Sequence, residues 1–154
     1  MSLVHLGGYL VLVIVLATGA DRTPVEFTED SLEIVKENIS KNKAVLVDVR
    51  SQEEWNKGHL EGAIFLPVTS LGKTVDAEEL AKALPKKKVL YTFCIVGMRA
   101  KAAAKVLNKY GYEVRALKPG YDDLIKAGFK KGEDSKNTEK PADQHENTRQ
   151  RNAG

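Results

Sequence analysis

The sequence predicts an α/β fold with a mostly parallel sheet. Two apolar runs rich in β-branched residues, at residues 44–49 and 88–93, have the length and composition of buried strands. Helical patterns lie between and after these runs, and the most regular is the alanine-rich stretch over residues 99–110. Strands that alternate with helices along a chain are typical of a parallel sheet with helices packed against it.

The helices that flank the first strand have recognisable start signals. Residues 28–40 carry apolar side chains at helical spacing, with Thr28 or Asp30 as the expected N-cap. Directly after the strand, Ser51 and Glu54 have the spacing of a capping box, which predicts a short second helix. The remaining elements are expected in this order: a strand over residues 63–66, a helix over 76–84, the strand over 88–93, the helix over 99–110, a strand over 113–117 and a helix over 121–127.

The composition excludes several classes of function. The 24 basic and 21 acidic residues are intermixed and give a net charge of +3, so no basic patch indicates nucleic-acid binding. The single cysteine excludes an internal disulfide and a thiolate metal cluster. The three histidines, His5, His59 and His145, are far apart in the chain. We therefore expect no metal and no cofactor.

The two ends of the chain differ from its middle. Residues 3–20 are almost entirely apolar and end in small residues, which predicts a signal peptide or a membrane anchor, with a buried core helix as the third interpretation. Residues 130–154 contain no aromatic residue and no Val, Ile, Leu or Met, so we expect a disordered polar tail. The folded domain is then expected over residues 25–129, either exported to the periplasm or cell exterior or held at a membrane through residues 3–20.

The segment around Cys94 carries the chemistry. A predicted strand ends at Cys94, a short loop with Gly97 follows, and a helix begins near Met98 and Arg99. Unpaired amides and the dipole at the start of a helix favour a thiolate over a thiol, and the charge of Arg99 adds to this effect. Gly97 allows the loop to turn its N–H groups inward as an anion-binding nest. A buried cysteine without chemistry is the alternative interpretation of a lone thiol.

Three segments resemble motifs of the rhodanese-like sulfurtransferase family. The segment C-I-V-G-M-R at residues 94–99 resembles the family's C-x-x-G-x-R loop. The segment D-V-R-S-Q-E-E-W at residues 48–55 resembles its D-V-R-x-x-x-E-aromatic motif, and G-H-L-E-G-A-I-F-L-P at residues 58–67 resembles its G-H-I-x-G-A-x-x-x-P motif. The three motifs occur along this chain in the same order as in the family. Outside them, the resemblance extends more loosely from about residue 28 to about residue 129.

The resemblance implies a rhodanese-like fold with a five-stranded parallel sheet flanked by helices on both faces. It implies that Cys94 is the nucleophile that accepts a sulfane sulfur as a persulfide. The amides of the loop residues would hold that persulfide: Ile95, Val96, Gly97, Met98 and Arg99. In this chain Ile95 and Val96 make the rim of the loop apolar, where many single-domain members carry a basic or polar residue.

Three further motif residues have two interpretations each. Asp48 is expected mainly as a structural acceptor at the end of its strand. Arg50 is expected either to pair with Asp48 or Glu54 or to attract anionic donors. For His59 we expect a structural hydrogen bond, with a general base as the alternative.

The sequence leaves three functions open for this chain. The first is a sulfurtransferase that moves sulfur from a small donor such as thiosulfate to a thiol, cyanide or protein acceptor through Cys94. The second is a non-enzymatic module that carries sulfur, senses it or binds a partner protein. The third is phosphatase or arsenate reductase chemistry, which the four-residue spacing between Cys94 and Arg99 disfavours because related cysteine phosphatases have five residues there. A monomer is expected.

Overall fold

The computed structural model describes residues 24–72 and 75–133. They form one parallel sheet with the strand order β2-β1-β3-β4. Its strands are β1 (Ala44–Asp48), β2 (Ile64–Phe65), β3 (Val89–Phe93) and β4 (Val114–Ala116). All three strand pairings are parallel, and β1 and β3 are in register over five residues. The α/β class with a parallel sheet is therefore confirmed.

The expected number of five strands is wrong for the described residues, because the edge beyond β4 is a single bridge. Phe27 pairs in parallel with Ala116, and the Thr28 N–H donates to the Ala116 carbonyl at 2.9 Å. Pro24, three residues before Phe27, has no N–H to donate. After Phe27, the Asp30 N–H donates a hydrogen bond to the Thr28 hydroxyl. Within the described residues, pairing at this edge is thus limited to the single bridge at Phe27.

The described residues also form five α-helices and one 3₁₀ turn. They are α1 (Leu32–Ser40), α2 (Gln52–Asn56), α3 (Ala77–Ala83), α4 (Met98–Lys109), α5 (Tyr121–Lys126) and the 3₁₀ turn Val68–Leu71, which the sequence did not predict. The predicted capping box of α2 is confirmed, since both of its reciprocal hydrogen bonds between Ser51 and Glu54 are present.

The predicted N-cap of α1 is wrong. Ser31 caps the helix with its hydroxyl, and neither Thr28 nor Asp30 does so. The Asp30 carboxylate instead accepts a hydrogen bond from the Tyr91 hydroxyl at 2.6 Å and one from Arg115 at 2.7 Å. These contacts with β3 and β4 hold Asp30 against the sheet, so the helix begins after it.

The side chains of the central strands alternate between two hydrophobic clusters. Leu46, Tyr91 and Phe93 point to the cluster that contains Val35 of α1 and Leu124 of α5. The other cluster lies against α4 and α3 and takes the intervening positions, which continue one residue past each strand: Val47, Val49, Leu90 and Cys94. This period-two alternation is that of a strand buried on both faces. Helices therefore cover both faces of the sheet, as expected.

The backbone is paired slightly beyond residue 129, the expected end of the domain. Leu60 and Lys131 form an antiparallel bridge, and the Gly132 N–H donates to the His59 carbonyl at 2.9 Å. The rest of the predicted tail and the predicted leader at residues 1–20 lie outside the described residues. Within residues 24–72 and 75–133, no helix is both long enough and apolar enough to span a bilayer.

Candidate active site at the carboxyl end of the sheet

Cys94 lies directly after β3, at the carboxyl edge of the parallel sheet. Ligands of such sheets bind at this edge. The alternation along β3 turns the Cys94 side chain to the face covered by α4, and the residue is only 1% exposed. Its carbonyl accepts a hydrogen bond from the Tyr121 N–H at 2.9 Å. Tyr121, the first residue of α5, is thus hydrogen-bonded to the backbone of Cys94.

The loop after Cys94 turns sharply into α4. Gly97 has a φ of +81° and is the N-cap of α4, where no side chain caps the helix. A Cβ at this position would lie 2.6 Å from the Phe27 ring, so only glycine fits here without a shift of its neighbours. The helix α4 therefore begins four residues after Cys94, and the first N–H groups of the helix have no partner within it.

The loop after Cys94 also lies very close to the backbone of Gly120. A Cβ at Gly120 would lie 1.7 Å from the Ile95 carbonyl oxygen. This glycine has an ordinary extended φ of −92°, so the constraint is space and not backbone conformation. Gly120 lies between the strand and the helix that the sequence predicts over residues 113–117 and 121–127. Its contact joins the turn before α5 to the loop that carries the cysteine.

Arg99 binds Glu54 of α2 through two hydrogen bonds. The distances from its guanidinium to the two carboxylate oxygens are 2.6 and 2.8 Å. Arg99 holds the pKa of Glu54 at about 2. The pKa of Arg99 is raised, first by its hydrogen bonds with Glu54 and to a smaller extent by the neighbouring Cys94. Arg99 therefore interacts with the cysteine and with a carboxylate that partly offsets its charge.

The Glu54 carboxylate should make stability depend on pH. Its folded-state pKa of about 2 lies below the ordinary 4.5, so the stabilisation is complete above pH 4.5 and is lost as the pH falls toward 2. We expect Glu54→Gln to lower the free energy of unfolding by about 1–2 kcal/mol at pH 7, through the weakened pair and capping box, and by a smaller amount at pH 3, where the carboxyl of the unfolded chain is already protonated.

Urea unfolding at the two pH values measures this difference. Glu61→Gln is the matched control, because it makes the same chemical change at an exposed carboxylate outside α2. An equal loss at pH 7 and pH 3 for Glu54→Gln would show that the ion pair is not the source of the effect.

Asp48 and Arg50 form a buried ion pair. The Arg50 guanidinium donates to both Asp48 oxygens at 2.7–2.9 Å and to the Gly58 carbonyl at 2.8 Å. It also stacks over the Tyr121 ring at 4.1 Å. Asp48 and Glu54 were the two partners expected for Arg50, and the structure shows the pair with Asp48. Because Arg50 is 3% exposed and neutralised by that partner, these contacts support a structural role over the attraction of donors.

His59 belongs to the turn after α2. Its ring stacks on Trp55 with the centroids 4.1 Å apart and the planes 10° from parallel. The segment that follows α5 packs against it, because a Cβ at Gly132 would lie 2.4 Å from His59 Nε2. These contacts support the structural interpretation of His59.

Glu54 and Gly120 are the site residues that sequence analysis did not assign to the site. Glu54 was predicted as part of a capping box and as one of two alternative partners for Arg50, whereas the structure pairs it with Arg99. Within the described ranges 24–72 and 75–133, no group of three or more His, Cys, Asp or Glu side chains is arranged to hold a metal ion.

The fold and the site define a class of protein: a parallel α/β domain with one cysteine on a short loop between a central strand and a helix. Comparison with protein families gives this class its name. The family model described as a rhodanese-like domain matches residues 31–127. The chain therefore belongs to the rhodanese-like domain family.

The relatives of this chain have several activities. It is 31% identical to the mitochondrial thiosulfate sulfurtransferase RDL2 of Saccharomyces cerevisiae, over 70% of this chain and 76% of that protein. It is 32% identical to YrkF of Bacillus subtilis, a candidate sulfur carrier protein, over 62% of this chain and 49% of YrkF. A tRNA uridine(34) hydroxylase of Chlamydia trachomatis is 31% identical, over 62% of this chain and 29% of that protein. The chain thus spans half or less of two of these three relatives.

Solved structures share the fold. The BH2092 protein of Bacillus halodurans matches with a TM-score of 0.55 and 26% identity, over 68% of this chain and 75% of that chain. The human single-domain sulfurtransferase TSTD1 matches with a TM-score of 0.50 and 24% identity, over 68% of this chain and 96% of that chain. The similarity to TSTD1 is evidence for the fold alone.

Proposed function

We propose that this protein is a sulfurtransferase that carries sulfane sulfur as a persulfide on Cys94. The observation that supports this proposal is the position of Cys94, at the end of β3 and beside the uncapped start of α4. The yeast relative, named a thiosulfate sulfurtransferase, matches over most of its length and supports the same assignment.

The proposed reaction has two steps. In the first, the Cys94 thiolate attacks the outer sulfur of a donor such as thiosulfate, the S–S bond of the donor breaks, and sulfite leaves with the bonding electrons. In the second, an acceptor nucleophile attacks the outer sulfur of the persulfide and releases the Cys94 thiolate. The acceptor is a thiol, cyanide or a protein thiolate.

The loop supplies electrostatic stabilisation in both steps. The N–H groups at residues 95–99 and the start of α4 would bind the terminal sulfur anion of the persulfide. Arg99 lies beside the cysteine and contributes a positive charge that Glu54 partly offsets. The burial of Cys94 limits access of water to the persulfide.

The intact mass of the protein after treatment with thiosulfate tests this proposal. We expect a gain of one sulfur atom on the chain, which cyanide then removes as thiocyanate. Because Cys94 is the single cysteine of the sequence, a reversible gain identifies the residue without further mapping. Absence of the gain with thiosulfate, with a thiosulfonate and with a low-molecular-weight persulfide would contradict the proposal.

A sulfur carrier with slow release is the second candidate function. The observation that favours it is the 1% exposure of Cys94, which restricts the approach of an acceptor to a bound sulfur. YrkF, the candidate sulfur carrier, is similar over about half of its length. Rapid loading followed by release to cyanide many times slower than loading would support the carrier.

A further inference from the structure

Glu54 of α2 is connected to the cysteine loop through Arg99. Arg99 is the second residue of α4, and its guanidinium donates to both Glu54 oxygens at 2.6 and 2.8 Å. We propose that Glu54 is a positioning residue that sets the charge available at Cys94: it offsets Arg99 and thereby limits how well the site accepts dianionic donors. The inference rests on the proposed function and concerns the charge of the donors that the same cysteine accepts.

The Glu54 carboxylate is held in place by its own helix. Glu54 is the third residue of α2, and its Oε2 accepts the Ser51 N–H at 2.8 Å in the capping box. The same oxygen accepts a hydrogen bond from Arg99. Because β1 and β3 are parallel neighbours, α2 after β1 and α4 after β3 begin at the same edge of the sheet. The order of the strands therefore brings the carboxylate to the start of α4.

The other charged groups near this edge already occur as one cation with one anion. The three combinations are Arg50 with Asp48, Lys101 with Glu26, and Lys118 with Asp123 in the depression lined by Ile95 and Val96. Loss of the Glu54 charge would leave these combinations as they are. It would remove the counter-charge of Arg99, so the balance of charge at the cysteine loop depends on Glu54.

Arg99 and Cys94 interact electrostatically. The pKa of Arg99 is raised first by its hydrogen bonds with Glu54 and to a smaller extent by Cys94, because a nearby thiolate favours the charged guanidinium. The attraction is mutual, so Arg99 also attracts an anion that approaches Cys94. A dianion gains about twice as much as a monoanion from a cation, and it loses about twice as much to a carboxylate. Glu54 should therefore weaken the use of thiosulfate more than that of a monoanionic donor.

The test compares two donors that differ by one charge, thiosulfate and methanethiosulfonate, on the full chain. In both reactions the Cys94 thiolate attacks the terminal sulfur of the donor, and sulfite or methanesulfinate leaves with the electrons of the broken S–S bond. Intact mass gives the second-order rate constant of sulfur loading for each donor at low ionic strength. The ratio of the two rate constants cancels changes in the reactivity of the thiolate that affect both donors equally.

Glu54→Gln should raise the ratio of thiosulfate to methanethiosulfonate rate constants by at least about threefold. Glutamine is uncharged but also occurs at this position of capping boxes, so a weaker cap of α2 remains. Because Arg99 and Glu54 are 35% and 28% exposed, water screens part of the effect, and we expect no change of several orders of magnitude. The increase should become smaller at about 1 M salt, where charges are screened over about 3 Å.

Arg99→Gln should change the same ratio in the opposite direction, by a similar factor. Both substitutions disrupt the same two hydrogen bonds, so a merely structural role of the pair would move the ratio in one direction for both variants. A role through charge gives opposite directions, because one substitution removes an anion and the other removes a cation. The double variant should have a ratio close to that of the parent protein.

Glu113→Gln is the matched control. Glu113 also pairs with an arginine, since its Oε1 lies 2.7 Å from the Arg115 guanidinium. It directly precedes β4, at the edge of the sheet opposite to Cys94. The substitution makes the same chemical change far from the cysteine loop, so it should leave the donor ratio unchanged.

The outcomes separate this inference from the proposed function. If loading occurs but Glu54→Gln leaves the ratio unchanged, or if both variants shift it in the same direction, the role of Glu54 is overturned and the sulfurtransferase remains. If no donor loads sulfur on Cys94, the proposed function fails. The ratio of alkylation rates of Cys94 by iodoacetate and iodoacetamide then tests Glu54 separately, and the same opposite shifts are expected for the two variants.

Discussion

Replacement of Cys94 by serine is expected to abolish sulfur loading while it leaves the fold in place. Serine is nearly isosteric with cysteine, and its hydroxyl would lie near the unpaired N–H groups at the start of α4, which can donate to it. Because a serine hydroxyl does not form a persulfide, no donor should raise the mass of this variant by one sulfur. The free energy of unfolding should change by no more than about 1 kcal/mol, as this partial compensation allows.

Intact mass after donor treatment and urea unfolding measure the two parts of this prediction. Thr92→Ser is the matched control, because it removes one methyl group from a buried residue of β3, two positions before Cys94, and keeps the Cys94 thiol. It should load sulfur like the parent protein. A covalent gain of one sulfur by Cys94→Ser would contradict the assignment of Cys94, since the chain has no other thiol.

Gly120→Ala should damage both stability and sulfur loading. The added Cβ would lie 1.7 Å from the Ile95 carbonyl oxygen, so one of the two backbone segments must move. We expect a loss of about 2–3 kcal/mol in the free energy of unfolding, as for other overpacked sites. The Tyr121 N–H is bound to the Cys94 carbonyl, so this movement reaches the cysteine. Loading should slow by at least about tenfold because the loop amides lose their alignment.

Gly62→Ala separates this clash from a general effect of glycine replacement. Gly62 has a φ of +71°, but a Cβ there would meet no atom within 4 Å. Its replacement should cost about 1 kcal/mol of backbone strain and leave loading unchanged. Equal effects of the two substitutions on loading would show that the contact between Gly120 and Ile95 does not position the cysteine.

The parts of the fold that the sequence could predict depend on local patterns. The runs that became β1 and β3 are short, mostly apolar on both faces and rich in β-branched residues, which is typical of strands buried between two layers. The capping box of α2 was predictable because its two side chains are three residues apart and bind each other's backbone. The position of Cys94 at the end of β3 followed from the same local signals.

The parts that could not be predicted depend on contacts between distant segments. Arg99 and Glu54 are 45 positions apart, and nothing local in either segment indicates their pairing. Ser31 replaced the expected N-cap of α1 because Tyr91 and Arg115 bind Asp30. The close approach of Gly120 to the cysteine loop depends in the same way on how the turn before α5 packs against it.

The short outer strands of the sheet have a consequence for association between molecules. One border strand, β2, is two residues long, and the bridge at Phe27 covers the last residue of β4 at the opposite border. A sheet whose borders offer few free N–H and C=O groups is a poor template for strand addition by a second chain. At high protein concentration, this architecture should therefore disfavour intermolecular β-pairing between folded molecules and the fibrils that such pairing seeds.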